Sequence, residues 1–169
     1  MEFDYIIVGA GSAGCVVANR LSADGRHRVA LFEAGGEDSY PWIHIPVGYF
    51  KTMGNPATDW RYRTEPDPGL NGRAINWPRG KVLGGSSSIN GLLYVRGQPQ
   101  DFDQWRQLGN PGWAWEDVMP LFRRAENWEG EPSTLRGTGG ALNVSESRVQ
   151  RPVIDAWVEA AANLGYKRN

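Results

Sequence analysis

The first apolar cluster, Asp4 to Val8 (DYIIV), is short, β-branched and aromatic, and it stops at Gly9. A run of that kind closed by glycine predicts a buried strand. From Cys15 to Ser22 (CVVANRLS) the apolar positions take a helical spacing, and from Arg28 to Glu33 (RVALFE) a second continuous run predicts another buried strand. Strand, glycine turn, helix and strand make a right-handed crossover between parallel strands, the opening of a doubly wound α/β sheet of the Rossmann type. The pattern then lapses. Up to about Pro78 there is no period, only Pro41, Pro46, Pro56, Pro66 and Pro68 with Trp42, Trp60 and Trp77 among them. Aperiodic stretches of this length are uncommon in a compact domain unless the loop is functional. A long extended loop wrapping an elongated ligand fits the pattern. Helical periodicity returns at Trp115 to Asn127, with Val118, Leu121 and Phe122 on one side and charges on the other, and again at Pro152 to Leu164.

Between these lies RGKVLGGSSSINGLLYVRG, Arg79 to Gly97, in which five glycines, three consecutive serines and an asparagine interleave with Val82, Leu83, Ile89, Leu92, Leu93, Tyr94 and Val95. A flexible linker is polar throughout, so this stretch is expected to lie against something that makes use of bare backbone amides. A purely structural role for Ser86 to Ser88 is the capping of a helix through INGLLY.

Composition narrows the classes. At 169 residues the chain is about one domain's worth, and glycine (22) and tryptophan (8) are the two residues in excess. A net charge of -1 gives no electrostatic case for nucleic acid or an anionic membrane. One cysteine, Cys15, excludes an internal disulfide or a cysteine metal cluster. It is expected to be a small buried hydrophobe on the first helix. His27, in a polar turn, reads as solvated, and His44, in WIHIP, as a packed loop histidine. The first apolar run begins at Tyr5, too early for a signal sequence, and no apolar stretch reaches 18 residues, so the chain reads as cytoplasmic without a membrane span, peripheral membrane association being left open.

The glycine turn carries specific chemistry. Gly9 permits the tight exit from the strand, Gly11 clears the approach of a pyrophosphate, and Gly14 lets the helix pack close. Phosphate then meets unpaired amides at a helix N-terminus. Glu33, nineteen residues beyond Gly14, is placed to accept hydrogen bonds from both ribose hydroxyls of an adenosine, and its charge disfavours a 2′-phosphate. The turn alone leaves NAD and FAD both open.

The order GAGSAG, FEAGG, WPRGKVLGGSSSINGLLYVRG, followed by DFDQW (Asp101 to Trp105), GWAWEDVMPLFRRAEN (Gly112 to Asn127) and GALNVSE (Gly140 to Glu146), resembles the N-terminal part of the glucose-methanol-choline (GMC) flavin oxidoreductases. It is nearest to their choline dehydrogenase-like and bacterial alcohol dehydrogenase branch. The resemblance implies FAD contacts at Gly9, Gly11, Ser12, Ala13 and Gly14 for the pyrophosphate, and at Glu33 and Ala34 for the adenosine ribose. It further implies contacts at Val82, Gly85, Ser86, Asn90, Gly91, Leu92 and Leu93 beside the ribityl chain and isoalloxazine. Some relatives link FAD through a histidine just before that asparagine. Here Ile89 stands there, so a non-covalent FAD is expected. The implied reaction is oxidation of a small-molecule alcohol, with oxygen or a quinone as acceptor, and no metal. The family's histidine base lies near the C-terminus of much longer chains, so no catalytic residue is expected here. The chain is expected to be an N-terminal portion of a larger enzyme, 1–135 belonging to the FAD-binding domain and 136–169 opening an α+β substrate-binding domain. A lyase or photodecarboxylase on the same fold, and a non-catalytic dinucleotide-binding module, are the competing readings.

Overall fold

The computed structural model describes residues 2–149 and 151–167 and divides into two compact units, Met1–Leu93 and Tyr94–Asn169. In the first unit, β1 (Tyr5–Val8) pairs in parallel with β2 (Val29–Phe32), Tyr5 opposite Val29 and Val8 opposite Phe32. α1 (Ser12–Ser22) makes the crossover, starting three residues before the apolar run that predicted it. This is the α/β opening the pattern predicts, but its burial is not as expected. Ala30 is the only buried residue of the two strands, Val8 is 86% exposed, and no residue of α1 is buried. Cys15 is accordingly exposed, with its Sγ 3.2 Å from the Ala10 carbonyl. The reason is topological: the described sheet has two strands, so faces that further strands and helices cover in a doubly wound sheet have no cover here.

The aperiodic stretch resolves into small local elements. Single 3-10 turns at Pro41–Ile43, Pro46–Gly48 and Pro68–Leu70 each open on a proline, whose fixed φ suits a helix start. A four-residue helix α2 (Tyr49–Thr52) follows the second, and β3 (Tyr62–Arg63) pairs antiparallel with β4 (Asn76–Trp77). The tryptophans lie on this surface rather than inside it. Trp60 stacks on Tyr62 with the planes 4° apart, Lys81 lies over Trp60, and Arg79 over Trp77. His44 Nε2 is 2.6 Å from the Asp38 carbonyl oxygen, and His27, its side chain 38% exposed, packs edge-on against Tyr5 beside Asp24.

In the second unit, α3 (Pro99–Gln107) and α4 (Trp115–Ala125) pack through Phe102, which contacts the rings of Trp105, Trp115 and Phe122. Asp101 and Asp117 accept the Gln98 and Ala114 amides at the two helix starts. α4 buries Val118 and Met119, whereas Leu121, expected on the apolar side, is exposed. It also ends at Ala125, before the expected Asn127, because Glu126 turns to an extended conformation and begins β5 (Glu126–Trp128), which runs parallel to β6 (Leu142–Val144).

That turn delivers the Glu126 carboxylate to two guanidinium groups. It accepts from Arg96 Nη2 at 2.7 Å, Arg136 Nη1 at 2.8 Å and the Gly137 amide at 2.8 Å, and is 0% exposed. Arg96 also donates to the Leu135 carbonyl and lies over the Tyr94 and Phe122 rings. Burial alone would raise the Glu126 pKa, but the Gly137 amide and the two arginines outweigh it and hold the carboxyl below its ordinary range. α5 (Pro152–Asn163) falls within the expected helix, with Trp157 exposed. Among the described residues no helix is long and apolar enough to cross a membrane, and no cluster of three or more His, Cys, Asp or Glu is placed to hold a metal.

Candidate functional site

The site is built where the two glycine-rich segments of the first unit meet. Gly9 leaves β1 with φ +97°, a conformation that side chains disfavour, and its amide donates to the Phe32 carbonyl. A Cβ on Gly14 would lie 1.9 Å from the Gly9 carbonyl oxygen, so only glycine lets α1 start this close to the turn. Gly11 caps α1 with no side-chain partner for the helix amides, which leaves the N–H groups of Ser12, Ala13 and Gly14 without an intrahelical acceptor. A Cβ on Gly11 would meet nothing nearer than Gly85 Cα at 4.0 Å.

The second segment closes on the first. Gly84 donates its amide to the Ala10 carbonyl at 2.8 Å. Gly84 and Gly85 both have positive φ, and a Cβ on Gly85 would come 2.8 Å from Gly11 Cα. The backbone of one motif thus lies directly on the other, and the absence of side chains makes the contact. Val82, 1% exposed, anchors this segment through a bridge to Gly36.

Glu33 binds the parts together. Its Oε2 accepts the Ala10 amide at 2.8 Å and its Oε1 the Gly35 amide at 2.9 Å, and each oxygen keeps a lone pair for a further donor. Ala34 beside it is exposed.

The serines do not cap a following helix, as their spacing suggested. Gly85–Ser88 is a 3-10 turn that ends at Ile89. Ser87 Oγ donates to the Gly84 carbonyl, Ser88 Oγ to the Leu83 carbonyl, and Ser86 Oγ accepts the Gly80 amide, so all three hold their own loop. Ile89 is buried, whereas Asn90, Gly91, Leu92 and Leu93 run on as exposed chain, and none of the four hydrogen-bonds to the glycine turn among the described residues. Leu92 sits at φ +62°, held there by its amide donating to Asn90 Oδ1 at 2.9 Å. Within Arg79 to Gly97, Val82, Gly85 and Ile89 are buried by the chain itself, whereas Leu83, Leu92, Leu93 and Val95 are exposed.

One residue without a signal in the sequence pattern also belongs here. Asp59, 2% exposed, accepts the Gly54 amide on Oδ2 and the Arg61 and Arg79 amides on Oδ1, at 2.7 to 2.9 Å. A cleft beside it is lined by Met53, Gly54, Arg61, Tyr62, Asn76 and Pro78. Burial pushes the Asp59 pKa up, and the three amides, with the nearby Arg61 charge, pull it below the ordinary value.

Unpaired amides at a helix start, a wall without Cβ atoms and a carboxylate with free lone pairs fit a ligand that is anionic in one part and hydroxylated in another. A dinucleotide such as FAD has both features, and the residues present fit it.

Comparison with known proteins agrees with this architecture. The chain is 48% identical over 167 residues to an oxygen-dependent choline dehydrogenase of Sinorhizobium fredii (strain NBRC 101917 / NGR234), a match that covers 99% of this chain and 30% of that protein. Among solved structures it matches pyridoxine 4-oxidase from Mesorbium loti with a TM-score of 0.93 and 39% identity, over 99% of this chain and 33% of that one. An FAD-dependent oxidoreductase from Chaetomium thermophilum matches with a TM-score of 0.82 and 30% identity, over 97% and 30% of the two chains. The chain thus spans about 30% of the length of the curated relatives it matches. A family model, described as GMC oxidoreductase, matches residues 3–169, and the chain belongs to the GMC oxidoreductases.

Proposed function

We propose that the protein carrying this chain binds FAD without a covalent bond and oxidises a small-molecule alcohol to a carbonyl compound. The observation that carries the reading is the backbone contact between Gly11 and Gly85, with Glu33 hydrogen-bonded to the same turn. In this reading the amides of Gly11, Ser12, Ala13 and Gly14, with Gly9 shaping the turn, face the pyrophosphate. Glu33, with Ala34 beside it, accepts from the adenosine ribose. Val82, Gly85, Ser86 and Asn90, Gly91, Leu92 and Leu93 follow the ribityl chain and ring. When bound, FAD supplies the hydride acceptor at its N5 position. The residues of this chain hold and orient it, and a proton-accepting base comes from outside them. Choline and pyridoxine, named for two of the relatives, both carry alcohol groups, which supports that substrate class. The same reading places the protein in the cytoplasm and assigns 1–135 to the FAD-binding domain and 136–169 to the start of the substrate-binding domain. That division crosses the β5–β6 ladder.

Gly11→Ala tests the reading, because the one added carbon meets only Gly85 Cα at 4.0 Å and so burdens the ligand more than the fold. The expected variant keeps the wild-type circular dichroism and loses the visible flavin absorbance. Full absorbance in the purified variant overturns FAD binding at this turn.

A further inference from the structure

Asp59 has no role in the contacts assigned to the cofactor, yet it is a charged side chain 2% exposed, held by three backbone amides and by no cation within salt-bridge distance among the described residues. Burying a carboxylate costs several kcal/mol unless it is well bonded, so what the three bonds hold in place matters. Two of the amides, Gly54 and Arg61, belong to Asp59's own loop, and Arg61 is held at φ +55°. The third, Arg79, opens the second glycine segment twenty residues away.

From Arg79 the contacts lead to the cradle. Trp60 donates its amide to the Arg79 carbonyl and Lys81 donates to the Thr58 carbonyl, with Asp59 opposite Gly80, so residues 58–60 and 79–81 form a short antiparallel ladder. The other side of Gly80 is pressed on the glycine loop. A Cβ there would lie 2.1 Å from the Gly85 carbonyl oxygen and 2.6 Å from the Ser86 amide nitrogen, and the Gly80 amide donates to Ser86 Oγ at 3.1 Å. Gly85 in turn rests on Gly11.

We propose that Asp59 is a positioning residue for cofactor binding: by fixing Arg79 and Gly80 it sets how closely Gly85 and Ser86 approach Gly11. The proposal rests on the FAD reading above. Asp59 touches no part of the cradle itself and acts through the ladder.

The test compares Asp59→Asn with wild type in the full-length holoprotein, following FAD release through the rise in flavin fluorescence and recording the visible circular dichroism of the bound flavin. Asparagine keeps the shape but loses the charge and one acceptor, so either the Gly54 amide or the Arg61 and Arg79 amides face a donor, and the bond to Arg79 loses its charge assistance in either orientation. Release is expected to be roughly tenfold faster or more, by analogy with the residues that orient metal ligands, whose loss costs about 10–100-fold in affinity, with an altered flavin circular dichroism signal. Glu126→Gln serves as the control, since it disturbs an equally buried carboxylate in the second unit. Its release rate below the melting transition is expected to match wild type. Equal release from Asp59→Asn and wild type overturns the proposal, as does an equal increase in both variants, which would mark a general loss of stability. Where Asp59→Asn yields no folded protein, Asp59→Glu, which keeps both acceptor oxygens and lengthens the side chain by one methylene against the Arg79 amide, takes its place, and unchanged release from it overturns the proposal. Failure of wild type to hold FAD would instead sink the functional reading, so the two failures are distinct.

Discussion

Glu126→Gln perturbs the most enclosed charge in the second unit. In the wild type three charge-assisted or backbone bonds converge on a carboxylate that is 0% exposed, and the variant leaves two guanidinium groups facing a neutral amide. Removing one partner of a buried ion pair costs about 3–5 kcal/mol, mostly for the charge left behind. The side chain of Arg136 is 37% exposed and can hydrate, whereas Arg96 is 12% exposed and cannot turn out without leaving the Tyr94 and Phe122 rings. The cost thus rests mainly on Arg96, near the lower end, about 3 kcal/mol. The effect also has a pH signature. The folded pKa of Glu126 lies below the ordinary glutamate value, so its contribution is full above the unfolded pKa and is lost as pH falls through the folded value. The assay is urea unfolding of wild type and variant from neutral pH down to the acid limit of reversibility. The expected result is a difference of about 3 kcal/mol at neutral pH that shrinks on acidification. A variant within about 0.5 kcal/mol of wild type, as for an ordinary surface substitution, or a difference that grows at low pH, refutes the reasoning.

Gly14→Ala is expected to destabilise the fold before any question of ligand arises, since the new Cβ would sit 1.9 Å from the Gly9 carbonyl oxygen; a wild-type melting temperature would contradict that. Non-covalent FAD is expected because Ile89 is a buried hydrocarbon with no nucleophilic atom. After acid precipitation of the holoprotein the yellow colour should appear in the supernatant as intact FAD, and colour that stays with the pellet shows the expectation wrong.

The βαβ opening was legible because its signals are local: alternating runs of fixed length, a glycine turn, and an acid at the right distance. Glu33 could be placed at the turn for that reason, although its bonds to the Ala10 and Gly35 amides could not be foreseen. Burial was less legible. Periodicity says which face of α1 or α4 is apolar, not whether anything covers it, so Cys15 and Leu121 were expected inside and lie outside. Asp59 left no trace because its partners are amides two, five and twenty residues distant, a pattern fixed by loop geometry alone. The same holds for Leu92, whose left-handed backbone is contrary to its residue type and is sustained by Asn90.

In the proposed FAD site, the two amides that hold Glu33 bear on how a ribose would be received. A free glutamate samples many rotamers, and confining it costs up to about 1.5–2 kcal/mol. Here the Ala10 and Gly35 amides, one from the turn after β1 and one from just beyond β2, have already confined it when the chain folds. An incoming diol therefore meets an acceptor pair of fixed direction. The entropy of ordering that side chain is charged to folding rather than to association, worth at most roughly ten- to thirtyfold in the dissociation constant.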